Sequence, residues 1–282
     1  MHKHCGSNTV RIEDGEGIYL FCFARLHQIP VQDMAGPDDY YSVYPWTFMG
    51  ITAILSKVSL DEYCGPSAES RIKDLSWIGP RACRHENIVE RVMCHSPVVP
   101  ARFGTIFSSM NSLKELLKVH GKTILKCLDQ VADKQEWAVK GLIDMARAKQ
   151  KLVSEITAAE AQRLALLAPG ARYFQEKRIH NHAGSELNCR LKEIYKETAD
   201  DLSALASDDY PGRLLSKDAS GTDMDMFMNT AYLVPINCVK AFHARVDRAN
   251  AVHAQNGLVF KLSGPWPPYS FCPSFEMEEI DN

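Results

Sequence analysis

The first dense run of apolar positions begins at Gly17. Residues 17–26 (GIYLFCFARL) are dense in aromatic and β-branched side chains and predict a buried strand. After the turn residues Gln32, Asp33, Gly36, Pro37, Asp38 and Asp39, residues 40–46 and 48–58 predict two more strands, with Pro45 confining the first to a sheet edge or a bend. Ser67 and Ser70 offer N-caps for a helix. Within 84–95, Ile88, Val89, Val92 and Met93 recur at helical spacing, away from Arg84, Glu86, Glu90 and Arg91, and Ser96-Pro97 ends that helix. Residues 98–107 predict a fourth strand. Asn111 or Ser112 then caps a helix carrying Leu113, Leu116, Leu117, Ile124, Leu128 and Val131 on one stripe. Strands of one sheet mixed with helices predict a ferredoxin-like α+β domain over 17–133.

The second half predicts a strand at 135–143, a helical stretch over 144–168 broken at Pro169-Gly170, and a second helical stretch with Leu187, Leu191, Ile194, Tyr195, Leu202 and Leu205 on one stripe. Together these stretches make a helical hairpin over about 144–206. The polar segment 207–225 reads as a loose loop. A strand at 228–234, a helix with Val239, Phe242, Val246 and Ala249 on one face, and a strand at 257–263 complete an α+β second domain over 134–271. A polar tail (1–16) and an acidic tail (272–282) flank the two domains.

A chain of 282 residues fits two domains. The net charge of −3 is spread along the chain, with no basic stripe for phosphates and no polybasic anchor, so neither nucleic acid nor a membrane surface is an expected partner. The apolar runs at 17–24 and 50–55 fall well short of the roughly 20 residues that cross a bilayer. With no apolar signal segment at the N-terminus and 9 scattered cysteines lacking a CxxC pair, a cytoplasmic protein with reduced thiols is expected.

Candidate chemistry is sparse. His180-Asn181-His182 suggests a metal-dependent hydrolase only if further ligands surround it, and the segment reads as a solvated helix face. His2, His4 and Cys5 could take up metal adventitiously on a loose terminus. His85-Glu86 and His95 lack the spacing of two ligands on one helical face, and His85 and Glu86 read as part of a hydrated surface beside Arg81 and Arg84. No phosphate-binding glycine loop and no nucleophile elbow occurs. Met224, Met226 and Met228 suit either a core or an adaptable apolar strip. No catalytic residue, no metal and no cofactor is therefore assigned.

Two segments stand apart. In Pro97 to Phe107, prolines flank an apolar strand with a single cation, Arg102, for which Glu86 or Glu90 is the candidate ion-pair partner. In Gly264 to Phe271 (GPWPPYSF) three prolines hold Trp266, Tyr269 and Phe271 in a stiff extended segment suited to a sheet edge or a cover. Stiff aromatic segments lose little entropy on docking. The candidate partner-binding residues are accordingly Val98, Val99, Pro100, Arg102, Phe103 and Gly104, with Trp266, Pro267, Pro268, Tyr269 and Phe271.

These same segments carry a resemblance. Leu75 to Ala82 (LSWIGPRA) with His85-Glu86, then Pro97 to Phe107 and Glu136-Trp137, resemble the N-terminal half of the gas vesicle protein L/F family. Pro169 to Phe174, Ala231 to Val234 and Gly264 to Phe271 are similar to its C-terminal half, in the same order. The resemblance implies a ferredoxin-like N-terminal domain, an α+β C-terminal domain, and an accessory or minor structural role in which the main gas vesicle shell protein and other accessory proteins are bound during assembly. It brings no catalytic residues and no cofactors. Readings from other classes are a metal-dependent hydrolase built on His180 and His182, and a small-ligand-binding module of ferredoxin-like type.

Overall fold

Nine residues of strand β1 (Glu16–Ala24) run through the middle of the first sheet, eight of them buried, as their unbroken apolar sequence requires. The computed structural model describes residues 13, 15–25, 30, 31, 33–64 and 68–273. His2, His4, Cys5, the candidate cap Ser67 and the acidic residues from Glu276 onward lie outside them. The chain divides into two units, one of Met1–Asp133 with Pro267–Asn282 and one of Lys134–Trp266. The second unit is thus an insertion, and residues 267–273 return to the first unit instead of ending the second.

In the first unit β1 is followed by β2 (Tyr44–Phe48), β3 (Ile51–Ser59), α1 (Leu60–Tyr63), α2 (Ala68–Ile72), α3 (Leu75–Met93), β4 (Val98–Pro100), β5 (Ile106–Phe107) and α4 (Met110–Val131). Met49 (φ 51°) and Gly50 (φ 76°) both sit in the left-handed region, the two-residue turn that matches the twist of a β2–β3 hairpin. The sheet runs β2-β3-β1-β4, each neighbour antiparallel, with β5 also on β1. The continuous strand expected over 98–107 is therefore two short ones. Arg102 O accepts from Thr105 N at 3.2 Å and from Thr105 Oγ1 at 2.7 Å, closing a turn in which Gly104 takes φ 83°. The side-chain alternation of β3 sends Ile54 and Val58 to the face covered by Ile88, Val89 and Val92 of α3. It sends Ile51 to the other face, where a Cβ on Gly121 of α4 would lie 3.6 Å from Ile51 Cδ1. Helix α3 starts earlier than its apolar stripe suggested, because Asp74 caps it by accepting from Ser76 N at 2.9 Å. Helix α4 is capped by Ser109, whose side chain accepts from Ser112 N, so Asn111 and Ser112 lie inside the helix.

The second unit contains β6 (Lys134–Ile143), α5 (Met145–Ala159), α6 (Ala161–Ala165), α7 (Pro169–Ser203), β7 (Asp208–Pro211), α8 (Lys217–Ser220), β8 (Asp225–Pro235), α9 (Val239–His253) and β9 (Leu258–Trp266). Its sheet runs β7-β8-β6-β9, all neighbours antiparallel. Counted within each unit, both sheets have strand order 2-3-1-4, although no sequence repeat announces it. The second unit fills both crossovers with helix, α5 to α7 in the first and α9 in the second. In the first unit the 25–43 crossover shows only an isolated bridge, Ala35 to Ser42, among its described residues. Helix α5 packs on α7 through Ala148 and Leu152 against Ala183, Leu187 and Leu191. The segment 207–225, expected as a loose loop, supplies the edge strand β7 and the short α8. Met226 and Met228 are buried in strand β8 and serve as core.

Gly264 adopts φ 136°, and a Cβ there would meet Glu136 O at 2.8 Å and Trp137 Cε3 at 3.0 Å. Gly264→Ala is expected to lower stability by about 1–3 kcal/mol in chemical denaturation, since both conformation and space are denied to alanine; an unchanged midpoint would contradict this close approach.

Candidate functional site

His85 projects from α3 into the core of the first unit and is 2% exposed. Tyr19 Oη of β1 lies 2.9 Å from its Nδ1, while Nε2 lies 3.1 Å from Ala101 O and 3.3 Å from Tyr269 Oη. Gly104 N donates to Tyr19 Oη at 3.1 Å, and Tyr269 Oη donates to Glu86 Oε2 at 3.0 Å. Phe21 and Phe103 pack their rings on the imidazole. One side chain therefore ties together β1, α3, the loop after β4 and the returning segment 267–273. Burial pulls the imidazole from 6.5 down to about 4, the bond to Ala101 opposing it, so His85 is neutral at neutral pH. Burial also raises the Glu86 carboxyl, against the bond from Tyr269. The hydrated surface expected for His85 is thus a buried hub. Its spacing with Ile88, Val89 and Val92 already placed it on the apolar stripe.

A second cluster braces the 33–43 loop. Asp38 is nearly buried and accepts from Tyr63 Oη at 2.7 Å and from Arg81 Nε at 2.9 Å. Arg81 also donates to Glu62 at 3.0 Å and stacks 4.3 Å above the Trp77 ring. Arg84 holds Pro37 O at 2.9 Å and pairs with Asp39. In the second unit Glu136 pairs with Trp266 across β6 and β9, and the Trp137 ring meets His243 edge-on at 4.3 Å.

The proposed binding residues fall into distinct environments. Val98, Val99 and Pro100 are buried, as are Pro267 and Pro268, whereas Arg102 and Gly104 are exposed and Phe103 is half-buried against Tyr19. With Arg102 exposed, the desolvation that motivated a carboxylate partner does not arise. Tyr269 and Phe271 belong to the first unit with Arg102 to Gly104, and Trp266 belongs to the second. His180 and His182 are exposed on α7, and among the described residues no group of three or more metal-ligating side chains gathers. Among the described residues, three apolar side chains are openly displayed around the turn into α7, Leu166 at 88% exposed, Phe174 at 71% and Tyr173 at 59%, while Tyr40 and Leu75 are comparably exposed in the first unit. Sequence periodicity missed this patch because neither stretch continues its stripe there. No helix among the described residues is long and apolar enough to cross a membrane.

The family model described as gas vesicle synthesis protein GvpL/GvpF matches residues 17–273. The chain belongs to the GvpL/GvpF family. It is 24% identical over 223 residues to gas vesicle protein L of Streptomyces sp. (strain CB03234), covering 79% of this chain and 80% of that one. It is 26% identical over 195 residues to gas vesicle protein F2 of Halobacterium salinarum (strain ATCC 700922 / JCM 11081 / NRC-1), covering 66% and 65%. The crystal structure of gas vesicle protein GvpF from Anabaena sp. PCC7120 has the same fold, with a TM-score of 0.67 at 17% identity over 93% of this chain and 98% of that one. Membership in the GvpL/GvpF family makes this a protein of gas vesicle formation. Of the residues that carry the resemblance, Trp77, Arg81, His85 and Glu86 are engaged in the two clusters of the first unit.

Because the folded-state His85 titrates near 4 and an unfolded histidine near 6.5, the unfolded chain binds the extra proton first as pH falls. Stability from this site is complete above about pH 6.5 and declines towards pH 4, by roughly 3 kcal/mol in all. Urea titrations from pH 7.5 to 4.5 should show that loss for the wild type and a shallower slope for His85→Gln; equal slopes would assign the acid sensitivity to other groups.

Proposed function

We propose that this GvpL/GvpF-family protein acts without catalysis, as a cytoplasmic assembly factor that binds the main gas vesicle shell protein and other accessory proteins. The observation that carries the reading is the family match across 17–273, joined to a display of exposed apolar side chains on an otherwise charged helical pair. A shell subunit apolar enough to line a gas space must be covered until it is placed in the wall, and an exposed aromatic patch is suited to cover it.

Two surfaces are proposed to share the contact. One is the tip of the helical hairpin formed by α5 and α7, with Leu166, Tyr173 and Phe174. The other lies in the first unit, where Val98, Val99, Pro100, Pro267 and Pro268 are buried beside the more accessible Arg102, Phe103, Gly104, Tyr269 and Phe271, with Trp266 of the second unit a further contact residue. Ala101 N donates inward to Phe21 O at 2.9 Å, so strand alternation turns the Pro100 position outward, where proline has no N–H. Strand addition on that edge is accordingly short, and side chains carry more of the contact there. The ferredoxin-like assignment of the first unit is also part of this proposal, supported by its 2-3-1-4 strand order.

Tyr173→Asp with Phe174→Asp should weaken capture of the shell protein by roughly thirty-fold or more, with the melting temperature unchanged. Arg102→Glu should weaken it less. Wild-type capture by both variants, or normal vesicles by electron microscopy in a strain lacking the protein, would overturn the reading.

A further inference from the structure

The first unit is assembled from two pieces of chain separated by the inserted Lys134–Trp266. Cys127 lies near the end of the first piece, on α4, and Cys272 lies near the start of the second. Their Sγ atoms are 2.9 Å apart, and Cys127 Sγ also lies 3.9 Å from Phe271 O. Both are free thiols. Three residues before Cys127, α4 is already committed to the apolar core through Ile124, and two residues after it Asp129 pairs with Arg25 beside the end of β1, so the helix cannot easily rotate the thiol away. On the other side, Tyr269 Oη fixes the returning segment to His85 and Glu86. The pair is therefore presented by two independently anchored elements.

We propose that Cys127 and Cys272 form a reversible disulfide that staples the returning segment 267–273 to α4 across the insertion. The oxidant is a low-molecular-weight disulfide of the glutathione class. Cys272, the more exposed of the two, attacks as the thiolate on one oxidant sulfur. The oxidant S–S bond breaks, a mixed disulfide forms and one reduced thiol leaves with a proton. Cys127 then attacks the Cys272 sulfur, the protein S–S bond forms and the second reduced thiol leaves. Two electrons and two protons pass from the protein to the oxidant. In the reduced pair the contact with Cys272 holds the Cys127 thiol below its usual range, against burial. Bonding requires the sulfurs to approach from 2.9 Å to about 2.05 Å.

Other cysteines make useful internal controls. Cys22 is fully buried in β1 and burial pushes its thiol up, so it should stay inert. Cys64, Cys83, Cys94 and Cys189 are exposed and report on general reactivity. Proposed here is a modification site independent of which partner the protein binds; its consequence is that oxidation fixes the segment bearing Tyr269 and Phe271.

The test uses the full-length reduced protein incubated with glutathione disulfide, followed by alkylation, proteolysis and mass spectrometry. A linked peptide containing Cys127 and Cys272 is expected, together with a rise in melting temperature of roughly 5–10 °C that dithiothreitol reverses. Cys272→Ser should abolish both the link and the rise while keeping the melting temperature of the reduced wild type. The proposal is overturned if both cysteines remain alkylated while the exposed ones react, or if each carries its own glutathione with no linked peptide.

Discussion

Taking an imidazole and two phenol hydroxyls out of water costs several kcal/mol unless each polar atom finds a partner. In the first unit His85, Tyr19 and Tyr269 meet that requirement with one another, with Ala101 O, Gly104 N and Glu86 completing the set. The geometry follows from the constraint. Helix α3 must lie close enough to β1 for Tyr19 to reach its third turn. The loop after β4 must bend so that Ala101 O points inward, and this interrupts the edge strand. The chain must come back from the inserted unit for Tyr269 to reach the same imidazole. Depressing the His85 pKa to about 4 is the electrostatic trace of this burial, and it keeps the imidazole neutral at neutral pH.

Motif residues placed in this way describe an architecture more than a reaction centre. Trp77, Arg81 and Asp38 hold the first crossover loop, His85 and Glu86 hold the return, and Glu136, Trp137 and Gly264 fix the edge strand of the second sheet. Both sheets use the same strand order, and the units differ in what fills the first crossover. A braced loop serves in one, and a long helical pair ending in exposed aromatics serves in the other.

Much of this framework was legible in the sequence. Dense aromatic and β-branched runs located β1, β3, β6 and β8, and the stripes at helical spacing located α4, α9 and the second half of α7. Other features are decided at long range. The run from Val98 to Phe107 reads as one strand because six of its residues are apolar, yet the turn closed by Thr105 on Arg102 divides it. The stripe within 84–95 locates only the second half of α3; Asp74 caps the helix well ahead of it, Arg81 donates back to Trp77 O, and the helix runs through Pro80. Strand β7 has four exposed residues and gives no apolar signal; only its pairing with β8 defines it. The buried face of His85 was available from its spacing, but its charged neighbours Arg84 and Glu86 suggested a wet surface. The return of residues 267–273 rests on contacts to residues far away in sequence, which no local pattern encodes.

In the proposed function the buried motif residues form a frame, and the exposed ones, Tyr173 and Phe174 with Arg102 to Gly104, meet the partner. Hydrogen–deuterium exchange on the full chain, with and without the main gas vesicle shell protein, addresses this division most directly. New protection is predicted over the turn into α7 and over residues 101–105, with exchange in β1 and α3 unchanged. Protection confined to β1 and α3 around His85 and Trp77, with the α7 turn and residues 101–105 exchanging as in the free protein, would contradict the account.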